Sequence, residues 1–312
     1  MNINTTNSFL ILLSLLLAWF FPFELFLLAY AILGPLHYLT EIHWLHKKHY
    51  FVSTRYEPTL LIIGGTVLFV LLFSAISASD WAKILVGVCC ASLVMVMRLQ
   101  RNVRALLYLA ITLLLLILPP LPLAFVLFSI FLPTLVHVYI FTGAFMLSGV
   151  EKEHDRSAFI AFLLFLFAPV FLVVSASVAH PPSFASYIPD VYRMFASVNH
   201  SLLLLIGKDI PKNNEIVYQS VAGIAVMKFI AFAYLYHYLN WFTKTKVIRW
   251  AEMTRKAAVA IVLLWVSAVS LYFFDYRLGF FALYLLSMWH VLLELPLNNR
   301  TFVSIWNFAR SS

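Results

Sequence analysis

The chain has 312 residues, of which 63% are hydrophobic and 11% charged, and its formal net charge is +8. Soluble domains are about 45–50% apolar and about 25% charged. This chain has too few polar residues to cover its core with a wet surface, and lipid is the solvent that suits it. The basic residues sit in short loops between apolar runs, the pattern of a helix bundle anchored at its cytoplasmic face rather than of a nucleic-acid binder.

A spanning helix needs about 20 mostly apolar residues. In chain order, such runs are read at 6–21, 23–45, 58–79, 81–98, 103–118, 121–148, 157–178, 216–242, 256–273 and 278–296. Residues 1–7 lack the positive charge of a signal peptide, and no small-residue cleavage site follows, so the first run is read as a retained helix. Pro22 separates the first two runs, and Pro119, Pro120 and Pro122 break the chain between the fifth and sixth. Cys89 and Cys90 are adjacent inside the fourth run and read as small packing residues. The longest connector, 179–215, contains a mixed stretch from Ile188 to Ile206. That stretch suits either a helix lying on the membrane surface or an ordered connector.

With the N-terminus placed in the cytoplasm, the inner loops hold fifteen Lys and Arg and the outer loops five, while Lys228 falls inside a span. That threefold bias supports an even number of spans with both termini inside. The expectation is a single membrane-embedded, all-α bundle over 1–312, of about ten transmembrane helices. Absence of targeting signals and the charge asymmetry point to a bacterial inner membrane.

Ionisable groups within spans are expensive to bury and mark functional sites. Four of the ten histidines lie well within spans, His37, His137, His237 and His290, while His43 falls at the inner end of the second. Counted from the inner ends of their helices at about 1.5 Å per residue, all four fall in the cytoplasmic half. Scattered packing histidines have no reason to share a depth. His37 is followed four residues later by Glu41, and His290 by Glu294, a spacing that sets both side chains on one helix face. Imidazole ligates iron, zinc and copper. A ligating histidine gives its second ring N–H to a carboxylate or similar acceptor. Glu41 and Glu294 are therefore candidates either to orient the histidines or to ligate directly. Four imidazoles on one divalent ion is the simplest arrangement, and a dinuclear site bridged by the glutamates is the second.

The neighbours are less informative. His43, His46 and His49 form a stripe beside Lys47 and Lys48, read as an interfacial cationic stripe. Glu151, Glu153 and His154 read as a solvated loop, and His180 and His200 fall on the outer side. Lys228 is read as snorkelling, pairing or lining a cavity. Tyr236, Tyr238, Asn240 and Trp241 surround His237 in sequence and suit a pocket or an aromatic membrane belt.

The segment Gly34-Pro35-Leu36-His37-Tyr38-Leu39-Thr40-Glu41 resembles the first histidine motif of the Brp/Blh-like membrane β-carotene dioxygenases. The segment Tyr236-His237-Tyr238-Leu239-Asn240-Trp241 resembles that family's late histidine motif. The two segments cover under a tenth of the chain. Tyr38 stands where a small residue is usual, Glu41 where the family has Asp, and Asn240 where an acid is expected. The resemblance implies an all-helical membrane fold that binds iron through histidines and cleaves a carotenoid with O₂. The expected function is thus a non-haem Fe(II) oxygenase, with His37, His137, His237 and His290 as metal ligands and Glu41 and Glu294 orienting ligands or accepting protons. Zinc or a dinuclear site is the variant on the metal. The expected partners are a lipophilic substrate, O₂ and membrane lipid. The competing expectation is a transporter moving protons or metal ions through the same His/Glu cluster. The third is a non-catalytic assembly or lipid-binding protein whose histidines only pack helices.

Overall fold

A computed structural model describes residues 3–97, 99–153, 155–176, 184–207, 215–244 and 252–311. Arg98, Lys208, Lys212, Lys246 and Arg249, which enter the charge count, lie outside the described residues, as do His154 and His180. Among the described residues every regular element is helical.

The helices, in chain order, are α1 Ile3–Phe20, α2 Pro22–Lys47, α3 Glu57–Leu72, α4 Ala78–Val96, α5 Arg101–Ile117, α6 Leu123–Lys152 and α7 Arg156–Ala176. They continue with α8 Ile188–Tyr192, α9 Ala196–Ile206, α10 Glu215–Gln219, α11 Val221–Thr243, α12 Arg255–Phe274 and α13 Tyr276–Ser311. Eight of these are long and apolar enough to cross a membrane, as in a multi-pass membrane protein. All ten expected runs are helical, but α3 and α5 have only 16 and 17 residues. The third run stops at Leu72 rather than 79, because Ser77 caps the next helix: its side chain accepts from the Asp80 N–H and donates to the Asp80 carboxylate. Ser220 and Thr254 cap α11 and α12 in the same way. α7 and α12 are strongly apolar yet leave Phe167, Phe171 and Leu263 exposed, the surface expected of helices that face lipid.

Contacts divide the chain into two units. The first comprises residues 1–37 and 138–280. Its centre is α11, buried along most of its length, with α1, α7, the start of α2, α9 and α10 packed on it. Such an all-round apolar helix is a core helix. Gly223 is obligatory where α10 meets α11, because a Cβ there would lie 2.1 Å from the Ile216 carbonyl oxygen. The connector helices α8 and α9 belong to this core: Ile188, Tyr192, Asn199 and Leu203 are buried, and Tyr192 and Phe195 pack edge-on against Phe26. Of the two readings of 188–206, the ordered connector is the one observed. Lys228 is also buried here, its Nζ 4.1 Å from the centre of the Trp19 ring, so it pairs with an aromatic face.

The second unit comprises residues 38–137 and 281–312. In it α4 packs on α3, on α5 and on the start of α6. A buried ion pair holds the short helices: Glu57 at the start of α3 receives Arg104 Nη1 at 2.8 Å and the Tyr108 hydroxyl at 3.2 Å from α5. Its other carboxylate oxygen accepts the N–H groups of Ser53 and Thr54. α13 runs on past the expected 296, through Pro296, to Ser311, so its length is about 54 Å at 1.5 Å per residue.

Candidate metal centre

Two of the helices that carry histidines are locally widened. Residues Ala29–Leu33 of α2 form a π-helical stretch, in which the Gly34 N–H reaches back to the Ala29 carbonyl. Pro35 lies just beyond. It has no N–H to give the Ala31 carbonyl, and its ring crowds that oxygen. Widening the turn relieves both problems, and Trp265 of α12 donates its indole N–H to the Ile32 carbonyl within the stretch at 2.8 Å. In α6 a second π-helical stretch, Leu132–Phe141, has Pro133 as its second residue and carries His137. π-Helical widening concentrates at functional sites.

In the first unit, His37 and His237 face each other with their Nε2 atoms 3.0 Å apart. Their rings are near perpendicular, with centroids 4.7 Å apart. The Thr142 hydroxyl lies 2.8 Å from His237 Nδ1 and so holds that ring from behind. Tyr238 flanks both rings, and Trp241 lies edge-on to His37 at 5.4 Å. Tyr236, by contrast, packs on Phe165 with its hydroxyl toward the Met146 sulfur.

In the second unit, His137 and His290 repeat the arrangement. Their Nε2 atoms are 3.0 Å apart, their centroids 4.8 Å, and their planes 83° from each other. His290 Nδ1 donates to the Ser287 carbonyl at 2.5 Å. His137 Nδ1 stands 3.1 Å from a Glu294 carboxylate oxygen. Tyr38 stacks on the His290 ring at 4.2 Å.

One contact fixes a tautomer: the Ser287 carbonyl only accepts, so the proton of a neutral His290 ring belongs on Nδ1. His290 Nε2 then presents a lone pair to His137 Nε2 at 3.0 Å, a contact that either a proton on His137 Nε2 or a shared cation satisfies. Two nitrogens about 2.0–2.1 Å from one ion stand about 3.0 Å apart when their bonds meet at a right angle. Buried imidazoles of this kind, with an acceptor on the second nitrogen as Ser287 provides for His290, could hold a metal ion.

One ligating nitrogen from each of His37, His137, His237 and His290 lies within 4.8 Å of the other three, and all four residues are buried. Sequence reasoning therefore picked out the four histidines that group together. It placed the glutamates less well. Glu294 is buried and meets His137, on another helix, rather than His290 four residues before it. Glu41 is buried on α2, one turn beyond His37. His43, His46 and His49 are absent from the group of four; His46 and His49 are exposed, and the His46 ring contacts Tyr50. Thr142 and the Ser287 carbonyl went unnoticed in the sequence. Thr142 follows His137 by five residues, off the i+4 spacing searched, and a carbonyl has no sequence signature.

The chain was compared with protein-family models, with curated proteins and with solved structures, and none of them matches it.

Proposed function

We propose that the chain is a membrane-embedded, histidine-ligated non-haem iron oxygenase acting on a long apolar molecule, such as a carotenoid or another isoprenoid or acyl chain. The observation that carries the reading is the pair of Nε2 atoms on His137 and His290, held 3.0 Å apart while Ser287 and Glu294 take up the Nδ1 side of the rings. His37 and His237 make the same approach and complete a donor set of four nitrogens. The resemblance of the segments around His37 and His237 to the Brp/Blh-like dioxygenases points to iron and O₂ among the metals that imidazole suits.

When bound, iron supplies the activation of O₂ that the side chains lack. The residues have separate tasks. Ser287 keeps the His290 ring in the metal-binding tautomer, Thr142 holds the His237 ring at its Nδ1, and Glu294 stands 3.1 Å from His137 Nδ1. Tyr38, Tyr238 and Trp241 wall the rings with aromatic surface, which excludes water and offers faces for an unsaturated chain. Substrate enters laterally from lipid. Cleavage of a carbon–carbon double bond puts one atom of O₂ on each carbon, so it needs no outside reductant. The threefold charge bias places both termini on the cytoplasmic side of a bacterial inner membrane as part of this proposal.

The test is elemental analysis of the full chain purified in detergent, beside His137→Ala and His290→Ala. The reading expects iron in the wild type and its loss from both variants. A wild-type protein without metal after supplementation with iron contradicts it, and would favour proton-sharing imidazoles in a transporter. Incubation of membranes with a polyene under ¹⁸O₂ then tests the reaction: labelled carbonyl products support an oxygenase, and unlabelled or absent products contradict it.

A further inference from the structure

On α13, His290, Glu294 and Asn298 follow one another at successive turns of one side of the helix, about 12 Å from first to last. All three are buried, at 2%, 4% and 2% exposure. Three polar side chains in line on an apolar helix need a reason. Glu294 has one, since it meets His137 Nδ1. Asn298 does not: neither its amide nitrogen nor its carbonyl oxygen has a hydrogen-bond partner among the described residues. A buried amide bonded to nothing costs several kilocalories per mole, so such groups are normally met by water or a polar ligand. The helix beyond it emerges: Asn299 is half-buried, with its amide on the Ser92 hydroxyl, and Arg300 is exposed. Asn298 therefore stands where the polar face of α13 passes from the exposed end of the helix toward Glu294 and the histidines.

We propose that this face of α13 is a hydrated lane, with Asn298 holding water, through which water and the divalent cation travel between the exposed end of the helix and the histidines. A buried metal site requires an access route. The apolar rest of α13 offers none, because a cation cannot shed its hydration shell into hydrocarbon. Asn298 and Glu294 supply oxygen atoms one turn apart, each able to replace a water ligand of a hard or borderline cation in transit. The cation part of this proposal rests on the metal reading above; the hydration part does not.

Two measurements separate these parts. The full chain, with Cys89 and Cys90 replaced by alanine, is reconstituted in vesicles as the Asn298→Cys and Leu295→Cys variants. Leu295 is buried next to Glu294 but about 100° around the helix from it. A charged, water-soluble thiosulfonate reacts only with hydrated thiols. The lane predicts labelling of Asn298→Cys at least about tenfold faster than that of Leu295→Cys. Equal rates overturn the lane whether or not metal binds. In the second measurement, iron loading of the chelator-stripped protein and iron removal by chelator are timed in wild type, Asn298→Leu and Asn298→Ser. Asn298→Leu should slow both rates about tenfold with the final iron content unchanged, and Asn298→Ser, which leaves space and a hydroxyl for water, should restore them. Unchanged rates in Asn298→Leu overturn the cation route. Iron missing from every protein overturns the metal reading and with it the cation route, while the labelling still decides hydration.

Discussion

At the scale of single residues, the centre depends on groups that touch no substrate. Thr142 lies behind His237 and Glu294 behind His137, and loss of such orienting partners typically costs 10–100-fold in metal affinity or activity. Thr142→Val should weaken iron binding by about that factor, whereas Thr142→Ser, which keeps the hydroxyl, should not. Competition with a chelator of known affinity measures both. Equal affinity in Thr142→Val would mean that the hydroxyl does not orient the ring. A second single-residue prediction concerns stability. The Glu57 carboxylate is fully hydrogen-bonded, to Arg104, Tyr108 and two backbone N–H groups. Arg104→Met strands a buried charge and should cost about 3–5 kcal/mol. It should therefore lower the melting temperature markedly without changing whatever iron content the wild type shows.

At the scale of helices, the two prolines near the histidines carry information that periodicity hides. Pro35 and Pro133 lie within apolar runs that read as ordinary spans. The structure turns each run into a widened helix that sets the angle of a histidine. Pro35→Ala returns an N–H to the Ala31 carbonyl and removes the ring's crowding, which favours tightening of the turn. One residue of register rotates a helical side chain by about 100°, enough to turn His37 from its partner. The expected result is reduced iron content with unchanged helical circular dichroism; full iron content in Pro35→Ala would show that the widened turn does not place His37. Such shifts were beyond the sequence because nothing in composition separates a proline that kinks from one that widens. Helix ends were partly legible: Ser77, Ser220 and Thr254 are recognisable caps, and the first of them corrects the end of the third run.

At the scale of the molecule, composition implied a membrane protein and the lengths of the apolar runs an all-helical one, and each of the ten runs contains a helix. Shared depth along their helices singled out His37, His137, His237 and His290 without any knowledge of packing, and those four form the grouped set. The depth argument worked because polar groups are rare in spans and each needs a partner. The partner of Glu294 was not legible, because the i+4 rule sees one helix and His137 lies on another. The two readings of 188–206 stayed open for a related reason: mixed polarity suits an interface or a buried connector when the partner helix is unknown. If one ion is bound by all four histidines, its affinity adds to the stability of the folded chain. Iron removal should then lower the melting temperature, and added iron restore it in proportion to the logarithm of its concentration. Identical melting with and without iron would deny that the ion binds the folded state specifically.

The central claim is that imidazole nitrogens surround one ion, and X-ray absorption at the iron edge of the purified full-length chain tests it most directly. The account predicts a first shell dominated by nitrogen at about 2.0–2.2 Å, with the outer-shell pattern of imidazole rings that weakens in His290→Ala. A shell of sulfur, a shell of oxygen without ring scattering, or a spectrum that His290→Ala leaves unchanged would contradict it.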